Sequence, residues 1–91
     1  EDGKTDSYIY NRDVEWLVEA DLLVAEVTTP SLGVGYEIGK AEAHGKMILC
    51  LHRPSAGKKL SAMVGGNAYL QIEQYQTRDD LSELFKGYFL E

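Results

Sequence analysis

The sequence predicts a doubly wound α/β domain, a parallel sheet with helices on both faces. Two observations carry that expectation. Segments with helical spacing alternate with short apolar runs along the chain, and the runs at 22–27 and 47–51 are nearly unbroken, as in strands buried on both faces of a parallel sheet. Alternation of this kind implies right-handed crossovers between parallel strands.

Residues 1–6 are polar, carry Gly3 and read as a flexible arm. From about Ser7 to Glu19 the residues Tyr10, Val14, Leu17 and Val18 fall at i, i+4, i+7 and i+8, one stripe of a helix, with Arg12, Glu15 and Glu19 elsewhere. Leu22 to Val27 is the first strand. Thr28-Thr29-Pro30-Ser31 ends it, because Pro30 lacks a backbone donor and keeps Thr29 extended.

A second helix is expected from near Gly35 to His44, stopped by Gly45, a residue that accepts the left-handed conformation. Met47 to Leu51 is the second strand. Arg53 to Lys59 reads as a basic loop, Leu60 to Val64 as one helical turn closed by Gly65-Gly66, and Tyr69 to Glu73, of mixed polarity, as a strand nearer a sheet edge. Leu81, Leu84, Phe85, Tyr88 and Phe89 give a last helix over Arg78 to Leu90, with Thr77 as its cap.

Ninety-one residues form one domain, 1–91, and the 44% hydrophobic and 26% charged fractions are those of a globular protein. The chain opens on a helix and on Glu1 rather than a methionine. The expectation is a further strand upstream, with these residues the carboxyl-terminal two-thirds of a longer domain. Fifteen acids against nine bases give a net charge of −6, which argues against tracking the phosphates of a nucleic acid polymer but leaves room for one small anionic ligand. The lone Cys50 points to a reducing compartment, cytoplasmic or also nuclear. No apolar run is long enough to span a membrane, so no membrane partner is expected.

In open α/β sheets ligands bind beyond the carboxyl ends of the strands. Here that position is Thr28 to Glu37. Gly33 and Gly35 allow close backbone approach or simply make a turn, and their spacing to Gly39 is one residue too long for a dinucleotide fingerprint. Glu37 is either an acid favoured by the helix dipole or a nucleophile or base aimed into the crevice. Splitting a glycosidic bond characteristically takes two carboxylates. Asp13, at the edge of the first helix's apolar stripe, is the second candidate, its alternative being a solvated flank residue. Asp21 and Glu26 are weaker. His44, His52 and Cys50 make no metal spacing, and no metal or cofactor is expected. Arg53, Lys58 and Lys59 are a solvated loop, a source of positive potential for a phosphate or an interface edge.

Pro30-Ser31-Leu32-Gly33-Val34-Gly35-Tyr36-Glu37-Ile38-Gly39 resembles the 2′-deoxynucleoside 5′-phosphate N-hydrolases, relatives of the nucleoside 2-deoxyribosyltransferases. The likeness extends through Asp13 to Leu17, Ala20 to Val27, Ile48 to Leu51 and Leu60 to Met63. It implies a deoxyribosyltransferase-like fold and hydrolysis of deoxynucleoside 5′-monophosphates to free base and 2-deoxyribose 5-phosphate. Glu37 then matches the nucleophile of a covalent deoxyribosyl intermediate, and Asp13 the carboxylate that handles the leaving base. Ser31 and Gly33 match phosphate-binding positions. Ser61, with Met63 beside it, matches a segment that reaches the neighbouring subunit's site, which implies a homodimer. The family's first strand and its glycine- and serine-containing loop have no counterpart in these residues. Two other outcomes stay open: a transferase that passes the sugar to another base, and a non-catalytic nucleotide-binding or dimerisation module.

Overall fold

A computed structural model describes residues 4–89 and follows the expected order: α1 (Asp6–Glu19), β1 (Leu22–Glu26), α2 (Leu32–Ala43), β2 (Met47–His52), α3 (Ala62–Gly65), β3 (Gln71–Gln74) and α4 (Arg78–Phe89). A 3-10 turn at Pro54–Ala56 joins β2 to α3. The three strands run parallel in the order β1-β2-β3, with Leu23 opposite Ile48 and Cys50 opposite Ile72.

The central strand carries the core. Ile48 and Cys50 point to one face and meet Ala25, Val27, Ile38, Ala41, Leu17 and Leu70. Leu49 and Leu51 point to the other face and are also buried, so nearly the whole strand contributes, at about 1.5–3 kcal/mol for each fully buried aliphatic side chain. α2 packs on the first face. α4 lies on the second, where the Tyr88 hydroxyl donates to Glu73 at 2.9 Å. Burial pushes the Cys50 thiol up, which leaves it a packing group.

β1 departs from expectation. Its sequence reads as buried on both faces, yet Val24 is 41% exposed and Glu26 is exposed. Val24 and Glu26 share the face of Leu49 and Leu51, whereas α2 packs on the opposite face of β1. α1 departs likewise: Leu17 is its one buried residue, while Tyr10 and Val18, expected on the apolar stripe, are largely exposed. A helix that packs on α2 rather than on the sheet buries a narrow line, not a wide face.

Element ends have local causes. Thr5 caps α1 by accepting from the Tyr8 N–H at 3.1 Å, so the helix takes in Asp6, and of the expected arm residues 1–3 lie outside the described residues. α2 begins at Leu32, three residues earlier than expected, because Ser31 caps it by accepting from the Val34 N–H at 3.3 Å. Gly33 and Gly35 therefore sit inside its first turns, not in a loop before it. Gly45, at φ 71°, ends α2 as expected.

β3 starts at Gln71 rather than Tyr69. The Asn67 side chain accepts from the Tyr69 N–H at 2.9 Å and its carbonyl from Leu70 at 3.2 Å, which holds both residues in a turn. At α4 the Thr77 hydroxyl accepts from the Asp80 N–H at 3.2 Å while the Asp80 carboxylate accepts from Gln76 and Thr77, a capping box. These bonds hold the Asp80 carboxyl below the usual range. No described residue of α4 is buried, and Leu90 lies outside the described residues.

Candidate active site

α1 and α2 lie side by side, and a cavity of about 210 Å³ opens between them. Val14 and Leu17 of α1 give it an apolar wall; Asp13 and Tyr10 line it from the same helix. From α2 come Gly33 and Glu37, one turn apart, and Tyr36 and Lys40, likewise one turn apart. The two carboxylates selected from the sequence thus line one groove. Space around Gly33 is free: an added Cβ would meet nothing closer than Ser31 Oγ at 4.0 Å.

The carboxylates differ in surroundings. Arg12 donates to Asp13 Oδ1 through Nε at 3.0 Å, and its second nitrogen lies 2.9 Å from the same oxygen, so neither contact occupies Oδ2. The guanidinium also lies over the Trp16 ring, 4.7 Å from its centre, which limits its rotamers. Asp13 is therefore a held, partly buried group, not a freely solvated flank residue. Glu37 is also partly buried and, among the described residues, has no hydrogen bond or ion pair. Its oxygens are available to a ligand.

The amino end of α2 has the dipole orientation that favours an anion. Of its first N–H groups, Ser31 Oγ takes that of Val34, and those of Leu32 and Gly33 have no partner among the described residues. Ser31→Ala should lower unfolding stability by about 1 kcal/mol through loss of the cap and weaken binding of a small anion at this end of α2. A denaturant titration beside a binding isotherm checks both.

Ser61 and Met63 are not brought to the carboxylates. They line a larger cavity of about 350 Å³ on the α3 side of α2, together with Ser31, Gly35 and Gly39. Ser61 caps α3 by accepting from the Met63 N–H at 3.2 Å, and the Met63 side chain is 85% exposed. The six residues picked from the sequence divide accordingly. Asp13, Gly33 and Glu37 share one groove, whereas Ser31, at the head of α2, lines the other cavity with Ser61 and Met63.

Glu26 lies at the carboxyl end of β1 and acts as a tie. Its carboxylate accepts from the Thr28 N–H at 2.7 Å, from the Thr28 hydroxyl at 3.0 Å and from the Tyr75 hydroxyl, while Thr28 Oγ1 accepts from the Arg53 N–H at 2.9 Å. Desolvation pushes the Glu26 carboxyl up, but the hydrogen bonds from Tyr75 and Thr28 together outweigh it and hold it below its ordinary value of 4.5. A folded-state pKa below the unfolded one contributes stability that is present above pH 4.5 and lost as pH falls through the lowered value. Glu26→Gln should flatten that acid limb. Unfolding temperatures of both proteins between pH 3 and 6, about the carboxylate range, provide the test.

Tyr10, Tyr36 and Lys40 were not among the residues picked from the sequence. Tyr10 reads there as a member of an apolar stripe, and the only available signal was the one-turn spacing of Tyr36 to Lys40. The Tyr10 and Tyr36 hydroxyls lie 3.0 Å apart, joining α1 to α2.

The sequence model of the nucleoside 2-deoxyribosyltransferases matches residues 1–81. Among curated proteins, a 5-hydroxymethyl-dUMP N-hydrolase of Esox lucius is 52% identical over 88 residues, covering 90% of this chain and 61% of that protein. One of Danio rerio is 49% identical, covering 98% and 64%, and one of Mus musculus is 62% identical, covering 92% and 50%. The chain thus spans less than two-thirds of the length of these relatives. A Clostridium botulinum CMP N-glycosidase of known structure superposes with a TM-score of 0.78 over 96% of this chain and 73% of its own, at 22% identity. That likeness is one of fold.

Proposed function

Because this chain belongs to the nucleoside 2-deoxyribosyltransferase family, we propose that the whole protein hydrolyses the N-glycosidic bond of 2′-deoxynucleoside 5′-monophosphates, releasing free base and 2-deoxyribose 5-phosphate. The observation that carries this reading is the single groove lined by Asp13, Glu37 and Gly33. The names of the relatives, N-hydrolases of a modified deoxyuridine monophosphate, favour water as the acceptor.

The chemistry follows from the two carboxylates. A deoxyribose lacks the 2′-hydroxyl that would destabilise positive charge at C1′, so an unpaired carboxylate nearby stabilises the oxocarbenium-like transition state. A Glu37 oxygen forms the bond to C1′ as the C1′–N bond breaks. The departing electron pair goes to the base nitrogen, with Asp13 handling the proton. Water then attacks C1′, a carboxylate takes its proton, and Glu37 leaves as the free carboxylate. The unpartnered N–H groups of Leu32 and Gly33 and the Ser31 hydroxyl hold the 5′-phosphate, which needs no net positive protein charge.

Ser61 and Met63 serve the neighbouring subunit in this reading, as parts of a homodimer with shared sites. Their cavity on the far side of α2 from the carboxylates, the exposed Met63 and the 97% exposed Leu32 at the start of α2 support that arrangement.

The family's description as transferases favours one competing acceptor, a second base. Full-length protein incubated with each deoxynucleoside monophosphate, with and without a second free base, separates the outcomes. Free base and 2-deoxyribose 5-phosphate are expected in both mixtures. A new nucleotide in the second mixture means transfer, and binding without base release means a non-catalytic module.

A further inference from the structure

The groove between α1 and α2 contains a feature that the two-carboxylate chemistry does not use. The Tyr10 and Tyr36 hydroxyls lie 3.0 Å apart, with ring centres at 6.0 Å and planes tilted by 57°. Lys40 lines the same groove, and its ammonium is 5.9 Å from the centre of the Tyr36 ring. Both rings are about half exposed, so apolar burial does not hold them together.

Their position relative to the carboxylates is specific. Tyr10 stands one turn before Asp13 on α1, and Tyr36 immediately precedes Glu37 on α2. Leu17 is the one buried residue of α1, a turn beyond Asp13. The turn of α1 that carries Tyr10 and Asp13 therefore has no buried side chain of its own to fasten it to α2.

We propose that the Tyr10–Tyr36 hydroxyl pair, with Lys40 beside it, is a strut that holds the amino-terminal half of α1 against α2 and so fixes Asp13 relative to Glu37. The proposal rests on the N-glycosidase reading above. Both tyrosines and Lys40 are positioning residues here; none takes part in bond making. The hydrogen bond to Tyr36 and then the Lys40 ammonium lower the Tyr10 phenol from its ordinary value, whereas the Tyr10 bond raises that of Tyr36. Either hydroxyl can be the donor of the bond that joins the two helices. Catalysis by two groups on separate helices is sensitive to such a strut, since a displacement of about 1 Å can cost 10²-fold.

The test is a cycle of Tyr10→Phe, Tyr36→Phe and the double variant in the full-length protein, each assayed for base release from a deoxynucleoside monophosphate. Each single change should lower kcat about fivefold to twentyfold, with KM within about twofold, because the reacting groups and the phosphate site are untouched. The double variant should be no worse than the poorer single, since all three lack the same bond. Tyr36→Phe deletes the bond from the other side, so the prediction survives if Tyr10→Phe fails to fold. Unchanged kcat in both singles, losses that multiply in the double variant, or an effect confined to KM would overturn the strut alone. No base release by the wild-type protein overturns the functional reading and the positioning role with it.

Discussion

Glu37→Gln should lower base release from a 2′-deoxynucleoside 5′-monophosphate by about three to four orders of magnitude, with the nucleotide still bound within a few-fold of wild type. Two contributions disappear together. The neutral amide does not form a stable ester-like bond to C1′, and it no longer opposes the positive charge that develops there. The change is nearly isosteric, and Glu37 has no hydrogen bond or ion pair among the described residues, so folding should be little disturbed. Initial rates beside an unfolding curve check both halves of the expectation. A variant that binds nucleotide and releases base at the wild-type rate would remove Glu37 from the chemistry.

Asp13→Asn should lower kcat by about 10²-fold, the usual loss when a group handling a proton is neutralised. The asparagine oxygen can still accept from Arg12, which holds Asp13 Oδ1 at 2.9–3.0 Å, so the side chain should keep its place. What is lost is proton transfer to and from the departing base. The deficit should therefore shrink to below about tenfold with a 2-deoxyribosyl 5-phosphate whose leaving group departs readily as an anion. An equal deficit on both substrates would show that Asp13 acts by holding geometry, not by handling the base.

How much of this was legible in the sequence depended on whether the cause was local. β2 announced itself by five consecutive apolar residues, and α2 ended where Gly45 required. The start of α2 is poorly marked because two glycines near a helix end look like a loop, while the competing signal, a serine that caps the N–H three residues on, is a single hydrogen bond. The exposure of β1 is not legible because an apolar run reports what a strand can bury, not which neighbour supplies the covering surface. The pairing of Asp13 with Glu37 depends on how two helices pack, which no spacing encodes; the edge of the apolar stripe and likeness to a family both point to Asp13. The same holds for Tyr10, whose hydroxyl partner is 26 residues away. A phenol on a helix stripe carries no mark that distinguishes a buried ring from a bridging one.

The covalent step is the central claim and can be read directly. Full-length protein mixed with a deoxynucleoside monophosphate, quenched in acid within its first turnovers and digested, should yield the peptide containing Glu37 with the added mass of a 2-deoxyribosyl 5-phosphate group. The Glu37→Gln protein should yield none. Wild-type base release with the added mass on another residue, or with no adduct at any quench time while water is the sole acceptor, would contradict the role assigned to Glu37.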